Sequence, residues 1–176
     1  MKHLPLIVIM GFMGAGKSTF ARALARRLDC QMLDLDEIIA EQEKRSVPEL
    51  IEREGEEQFR RAETLALQIV LERKTARIIA LGGGAWTLER NRALIAKHEC
   101  YTVWLDAPFE LCWKRIASEQ QLRPLAIDRK TTHALYDERR QCYKLAMLHV
   151  PVTENSSADE LAFVIVKSLR QRFAKR

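Results

Sequence analysis

Short apolar runs alternate with longer amphipathic stretches along the chain. Several of these runs are apolar at nearly every position, which is typical of parallel strands that helices cover on both faces. Between the first two runs, Phe20, Leu24 and Leu28 recur at the spacing of one helical face. This alternation predicts a doubly wound α/β sheet. The five predicted strands cover residues 6–10, 31–35, 76–81, 100–105 and 148–152.

Capping signals and periodicity predict where helices lie. Residues 46–49, Ser-Val-Pro-Glu, and residues 157–160, Ser-Ala-Asp-Glu, each match the capping box that opens a helix. Further helical patterns cover residues 55–73 and 134–147. Residues 118–131 are polar and have no clear period, so they form either a plain surface loop, which composition favours, or a mobile lid.

Length and composition restrict the class of protein. The 176 residues are the size of one compact domain, 47% are apolar and 30% are charged, and no linker or repeat interrupts them. Disorder and a membrane span are therefore excluded. The apolar run near the N-terminus is similar to a short signal peptide. Because a glycine-rich motif directly follows this run, we interpret the run as a strand. The four cysteines have neither metal-site nor disulfide spacing, and they suit a reducing cytoplasm.

The net charge of +5 is a weak guide to the partner, because the excess lies at one end of the chain. Residues 161–176 hold five basic residues and no acidic one, so basic and acidic residues are equal in number in the rest of the chain. No nucleic-acid reader motif is present, and no basic segment is interleaved with aromatic residues. We therefore expect a cytoplasmic monomer with neither nucleic acid nor a membrane as its partner.

The strongest motif is Gly-Phe-Met-Gly-Ala-Gly-Lys-Ser at residues 11–18, which matches the phosphate-binding P-loop pattern. It follows an apolar strand and opens an amphipathic helix, as a P-loop does. Its glycines let backbone N–H groups face phosphate oxygens, Lys17 reaches the β- and γ-phosphates, and the Ser18 hydroxyl can ligate Mg²⁺. The chain is too short for a motor and has no guanine-reading Asn-Lys-x-Asp motif, which leaves a small kinase or a bare NTPase.

Two carboxylates follow the second predicted strand. Alternation would place Asp34 and Asp36 on one face at the C-terminal end of this strand, where ligands bind in open α/β sheets. One could hold Mg²⁺ through water, and the other could accept a proton from a substrate hydroxyl. The alternative is a solvated strand end at which Asp36 caps the next helix. The residues alone leave these two interpretations evenly matched.

Two further features are candidates for substrate binding. Arg60 and Glu63 share a face of their predicted helix, either as an ordinary surface ion pair or with the arginine presented to an anionic substrate. The triple glycine at 82–84 directly follows a strand, and an ordinary turn needs only one glycine. Three in a row favour close approach of the backbone to a ligand.

Arginines in the last third of the chain are candidates for binding anions. Arg123, Pro124 and Leu125 lie within the irregular segment, and a lid arginine that closes over the phosphates would stabilise charge on the transferring phosphoryl group. Arg139 and Arg140 lie in the predicted helix that follows, where a solvated basic face is the plain alternative.

Taken together, the order and spacing of these motifs resemble the shikimate kinase family over nearly the whole chain. The P-loop alone is generic, whereas Phe-Arg-Arg-x-Glu at 59–63, the triple glycine and Arg-Pro-Leu at 123–125 are specific as a set. The resemblance implies a three-layer α/β P-loop kinase fold, with a five-stranded parallel sheet in the order 2-3-1-4-5 flanked by helices. It implies one domain over residues 1–176, with substrate-binding helices at about 35–65 and a mobile lid at about 118–131.

The resemblance also implies ATP-dependent phosphorylation of the 3-hydroxyl of shikimate, on the route to chorismate and the aromatic amino acids, with Mg²⁺ as cofactor. Asp36 is the implied base, while Lys17 and Arg123 stabilise the transferring phosphoryl group. Ser18 binds Mg²⁺ directly and Asp34 binds it through water. The implied ATP-binding residues are Gly14, Ala15, Gly16, Lys17, Ser18, Thr19, Arg115 and Arg123, and the implied substrate-binding residues are Asp36, Arg60, Glu63, Gly82, Gly83, Gly84 and Arg139.

One departure from the family pattern leaves a residue open. Many members have Arg-Arg-Pro-Leu-Tyr where this chain has Arg139, Arg140, Gln141, Cys142 and Tyr143, so either arginine fits as the second ligand of the substrate carboxylate. A kinase for another small hydroxy acid, such as gluconate, or for a nucleotide is the runner-up. A nucleic-acid-dependent NTPase is a further alternative, but this chain has no reader motif for nucleic acid. An inactive relative is another, but this chain retains every key residue.

Overall fold

The computed structural model describes residues 4–118 and 125–173. The described residues form one sheet of five parallel strands in the order β2-β3-β1-β4-β5, which confirms the predicted topology. Each strand overlaps one of the apolar runs, with ends that differ by one or two residues. The strands are β1 (Ile7–Met10), β2 (Met32–Asp34), β3 (Ile78–Ala80), β4 (Tyr101–Asp106) and β5 (Leu148–Pro151).

Helices connect the strands, and a single-turn 3₁₀ helix, Ala85–Thr87, follows the triple glycine. Both predicted capping boxes are present, because each serine side chain accepts from the backbone N–H of a glutamate whose carboxylate accepts from the serine N–H. The helices are α1 (Lys17–Leu28), α2 (Leu35–Glu43), α3 (Val47–Arg73), α4 (Glu89–Lys97), α5 (Phe109–Ser118), α6 (Arg129–Tyr143) and α7 (Ala158–Phe173).

The central strand shows that both faces of the sheet are covered. All residues of β1 are completely buried, although alternate side chains of a strand point to opposite faces. Phe20, Leu24 and Leu28 of α1 join the same core, as their spacing predicts. The P-loop follows directly from β1, so the buried middle of the sheet holds it in place.

The second strand is shorter than predicted, and this changes the position of Asp36. β2 ends at Asp34 and α2 begins at Leu35, so the prediction that both aspartates alternate along one strand is wrong. The Asp34 side chain accepts a hydrogen bond from the Asp36 backbone N–H at 3.1 Å, which turns the extended chain into a helix. Asp34 is therefore the capping residue, and Asp36 lies in the first turn of α2.

The predicted helix over residues 55–73 is the second part of a longer one. α3 begins at Val47, and its only residue with non-helical backbone angles is Gly55, with φ 85° and ψ 165°. A residue with these angles interrupts the run of backbone hydrogen bonds, so the first two turns of α3 can take a different direction from the rest.

The boundaries of the predicted irregular segment also need correction. α5 extends to Ser118, and α6 begins at Arg129 because the Asp128 side chain accepts from the Thr131 N–H at 2.9 Å. The irregular segment is thus shorter than 118–131, and residues 119–124 lie outside the described ranges. α6 ends at Tyr143, four residues before the predicted end. None of the described helices is long and apolar enough to cross a membrane.

Candidate active site

The P-loop has the backbone shape needed to surround a phosphate. Gly14 has φ +77°, and a Cβ on it would lie 2.6 Å from the carbonyl oxygen of Cys112, so only glycine fits there. Gly16 caps α1, whose first-turn N–H groups and dipole favour an anion at this end. The Lys17 ammonium donates to the Phe12 carbonyl at 3.1 Å and so lies along the loop.

A cleft of about 670 Å³ opens above the P-loop. Arg115 of α5 lies at its edge, where Nη1 donates to the Gly14 carbonyl at 3.1 Å. The cleft is lined by all the sequence-predicted nucleotide residues that the structure describes, namely Gly14, Ala15, Gly16, Lys17, Ser18, Thr19 and Arg115, together with Asp34 and Asp36.

Two oxygen-bearing side chains in this cleft fit a magnesium site. The Ser18 hydroxyl donates to Asp34 Oδ2, while Asp34 Oδ1 holds the N-terminus of α2. The described residues contain no group of three or more His, Cys, Asp or Glu side chains that could hold a metal. A site with only a few oxygen ligands from the protein suits Mg²⁺, because this ion retains several waters and takes its other ligands from phosphates.

A second, smaller hollow of about 80 Å³ lies beside the glycines. A Cβ on Gly82 would be 2.7 Å from Asp36 Oδ1 and 2.8 Å from Glu63 Oε1, and one on Gly84 would overlap the guanidinium of Arg60. The triple glycine therefore lets charged side chains approach the backbone closely. The hollow is lined by Met13, Asp36, Val47, Ile51, Phe59, Arg60, Glu63, Gly82, Gly83, Gly84, Leu125 and Arg139.

Arg60 is held on two sides by carboxylates. Its Nη1 lies 2.8 Å from Glu63 Oε2, and its Nη2 and Nε lie 2.9 and 3.2 Å from Glu56 Oε1. Arg60 is 9% exposed and Glu63 is fully buried, so the interpretation of this pair as a surface ion pair is wrong. Sequence reasoning missed Glu56, although a glutamate four residues before an arginine on a helix was the signal for it.

Burial dominates the electrostatics of Glu63. It raises the pKa of the Glu63 carboxyl to about 7, because the charged form loses its hydration, and the nearby Arg60 opposes this shift only in part. Oε1 of Glu63 has no hydrogen-bond partner within the described ranges. A buried oxygen with unused acceptor capacity, beside Gly82 and Asp36, is available to a ligand hydroxyl.

Among the residues that the structure describes, Arg139 differs from Arg60 in having no ion pair with a carboxylate. It is 5% exposed, and within residues 4–118 and 125–173 it makes neither a hydrogen bond nor an ion pair. Its Nη1 lies 3.5 Å from the position of a Gly83 Cβ, and burial lowers the pKa of its guanidinium. A buried guanidinium with no counterion among the described residues can bind an anion.

Arg140, the alternative ligand, points elsewhere. Its Nη2 lies 3.3 Å from Asp106 Oδ2, its guanidinium lies 5.6 Å from the Trp104 ring, and it does not line the hollow. The structure therefore brings Arg139, and not Arg140, to the side chains around the glycines. Arg123 lies outside the described residues, whereas Leu125 lines the hollow.

Asp36 connects the two cavities. It is the one described residue that lines both the cleft above the P-loop and the hollow beside the glycines. A carboxylate at this junction can contact a group bound in the hollow and face phosphates bound in the cleft. Such an arrangement, on a parallel sheet with a P-loop after its central strand, defines a P-loop kinase that acts on a small acceptor.

Comparison with known proteins identifies the kinase family. The family model described as shikimate kinase matches residues 13–170. Shikimate kinases from Ruegeria pomeroyi and Lactococcus lactis are each 36% identical to this chain, over 94% and 95% of it and 85% and 97% of their own lengths. A solved shikimate kinase from Acinetobacter baumannii in complex with shikimate is 32% identical, covers 96% of this chain and 94% of its own, and has a TM-score of 0.88. The chain belongs to the shikimate kinase family.

Proposed function

We propose that this protein transfers the γ-phosphoryl group of ATP to the 3-hydroxyl of shikimate, giving shikimate 3-phosphate and ADP in the route to chorismate and the aromatic amino acids. The observation that carries this proposal is the position of Asp36 between the P-loop cleft and a hollow that contains Arg139, a buried arginine with no ion pair among the described residues. Shikimate has one carboxylate and several neutral hydroxyls, which matches guanidinium groups on one side of the hollow and carboxylate oxygens on the other.

In this proposal the substrate carboxylate binds Arg139 and the remaining donors of Arg60. Three of the five N–H groups of Arg60 contact Glu56 and Glu63, which leaves one N–H on each terminal nitrogen. The hydroxyls then face Asp36, Glu63 and the backbone of Gly82, Gly83 and Gly84. Asp36 either accepts the proton of the reacting hydroxyl or holds this hydroxyl in line with the γ-phosphorus.

On the nucleotide side, residues 14–19 bind the phosphates. Lys17 and Arg123 stabilise the charge of the transferring phosphoryl group, and Arg115 stacks on the adenine. The substrate oxygen forms the new bond to phosphorus as the bond to the bridging oxygen of ADP breaks. The hydroxyl proton passes to Asp36 or to solvent. The segment that joins α5 to α6, the part of residues 118–131 that remains outside the two helices, acts as a lid that closes over this site and excludes water.

Ser18 and Asp34 would hold Mg²⁺, Ser18 directly and Asp34 through a water. Bound there, the ion would neutralise phosphate charge. The contact between the two side chains, and the role of Asp34 as the N-cap of α2, support this assignment because they hold both oxygens at the mouth of the cleft.

The proposal includes a cytoplasmic monomer. All four cysteines are free thiols, and no disulfide joins them. Unpaired cysteines are typical of proteins in a reducing compartment, which supports a cytoplasmic location.

An acceptor panel tests the function. We expect ADP release with ATP and shikimate to exceed the rate without an acceptor by on the order of 10² or more, because the bound hydroxyl replaces water as the nucleophile. Gluconate and nucleoside monophosphates serve as the alternative acceptors. Equal rates with either of them would contradict the assignment to shikimate, and a rate independent of any acceptor would indicate a bare NTPase.

A further inference from the structure

The carbonyl oxygens of the three glycines are held in different ways. Those of Gly82 and Gly84 accept bonds from nearby backbone N–H groups, Ala85 at 3.2 Å and Thr87 at 3.0 Å. The Gly83 carbonyl accepts from the Tyr143 hydroxyl, which comes from the last residue of α6. This middle glycine is therefore tied to a distant helix.

A second hydrogen bond runs in the opposite direction between the same two segments. Trp86 Nε1, two residues after the glycines, donates to the Cys142 carbonyl at 2.9 Å. Trp86 is 5% exposed and Tyr143 is 1% exposed, so water has little access to either donor. We call this reciprocal pair the Trp86–Tyr143 clasp.

Arg139 lies one helical turn before Tyr143 on α6. Arg139 has no hydrogen bond or ion pair within the described ranges, and its guanidinium carbon lies 6.0 Å from the centre of the Phe12 ring, a contact with little directional preference. The position of its guanidinium beside Gly83 therefore depends mainly on where α6 lies relative to the glycines. Three consecutive glycines have high backbone freedom, so this distance would vary without an anchor.

We infer that the Trp86–Tyr143 clasp positions Arg139 relative to the Gly83 backbone, at the distance at which both can contact the bound acceptor. This inference rests on the proposed function and adds to it two positioning residues, Trp86 and Tyr143, that act through Arg139. The clasp takes no part in the phosphoryl transfer itself. Its loss is expected to weaken acceptor binding while turnover of the saturated enzyme is preserved.

The chain offers a matched control on the same helix. The Tyr136 hydroxyl donates to the Ala107 carbonyl at 3.0 Å, also in a buried environment, but this bond lies away from the glycines. Tyr136→Phe and Tyr143→Phe therefore each remove one buried hydroxyl from α6. Both are expected to lower the melting temperature by a similar amount, and only Tyr143→Phe disturbs the acceptor hollow.

The experiment is steady-state kinetics of wild type, Tyr143→Phe, Trp86→Phe and Tyr136→Phe. We expect Tyr143→Phe and Trp86→Phe to raise the KM for shikimate about tenfold, the effect of one lost buried hydrogen bond, with kcat and the KM for ATP within about twofold. Tyr136→Phe should leave all three constants unchanged. Equal KM increases in Tyr136→Phe and Tyr143→Phe, or no increase in Tyr143→Phe, would overturn the inference.

A double-variant comparison tests the route through Arg139. In an Arg139→Gln background, Tyr143→Phe should raise the KM less than about twofold further, because residues that act through one another are not additive. Full additivity would overturn the inference.

A crystal structure of Tyr143→Phe separates failure of the clasp from failure of the proposed function. Arg139 displaced from Gly83 supports the inference even if wild type does not accept shikimate. An unmoved Arg139 refutes it even if wild type does.

Discussion

The two cavities of this protein are built in different ways. The nucleotide cleft is formed around one continuous segment, residues 14–20, at the end of a fully buried strand. The acceptor hollow is assembled from the start of α2, two parts of α3, the glycines and α6. A continuous motif has its geometry set locally, whereas an assembled site depends on tertiary contacts such as the Trp86–Tyr143 clasp.

The two arginines of the hollow show the same contrast at smaller scale. Arg60 is fixed by Glu56 and Glu63 on its own helix, so its charge is compensated before any ligand arrives. Arg139 is buried with no ion pair among the described residues and lies beside Gly83. We therefore expect Arg60 to contribute to both stability and binding, and Arg139 to contribute to binding at some cost in stability.

The largest effect is expected where the two cavities meet. Asp36→Asn keeps the size of the side chain but removes its charge, so kcat should fall on the order of 10²-fold or more while ATP affinity is retained. Stopped assays for kcat and fluorescence titration with a nucleotide analogue measure the two quantities. Glu41→Gln, an exposed change on the same helix, is the control and should behave as wild type. A loss of ATP binding in Asp36→Asn would place this residue on the nucleotide side alone.

The second-largest effect is expected for the two arginines of the hollow, whose substitutions should change the KM and the stability differently. Arg139→Gln should raise the KM for shikimate about 30-fold or more without lowering stability, because it removes a buried charge that has no ion pair within the described ranges. Arg60→Gln should raise the KM as well, and also destabilise the fold by about 3 kcal/mol, since Glu63 then lacks its cation.

Urea unfolding combined with kinetics distinguishes these outcomes. Arg140→Gln is the control for Arg139→Gln, because Arg140 is paired with Asp106 outside the hollow. If both Arg60→Gln and Arg139→Gln destabilised the protein equally, the contrast between a compensated and an uncompensated arginine would be lost.

The effect that is smallest for each step of the measurement, one pH unit, is the pH dependence of stability that Glu63 introduces. Its pKa is raised from 4.5 to about 7 by burial, so between these values the folded state keeps a proton that the unfolded state has released. The free energy of unfolding should therefore decrease as pH rises through this window, by at most about 1.4 kcal/mol per pH unit. Glu63→Gln should lack this contribution. Urea unfolding of both proteins at pH 5, 6, 7 and 8 measures the difference, and parallel profiles would contradict it.

The strands, the P-loop and the capping boxes were predictable because each depends on a short stretch of sequence. The position of Asp36 was predicted wrongly, since an aspartate after a strand can either continue it or cap a helix. Here the bond from the Asp36 N–H to Asp34 favours the helix. Which of Arg139 and Arg140 faces the glycines depends on the rotation of α6 about its axis. Contacts between distant segments, including the bond from Tyr143 to Gly83, set this rotation.

The outer strands of the sheet make it difficult for another chain to extend it. β2 has three residues, and β5 ends in Pro151. The Val152 N–H donates inward to Asp106, so alternation directs the backbone nitrogen of Pro151 toward the open edge, where it has no hydrogen to donate. A short edge, and an edge that lacks a donor at Pro151, both oppose strand addition and so protect the sheet from edge-to-edge aggregation.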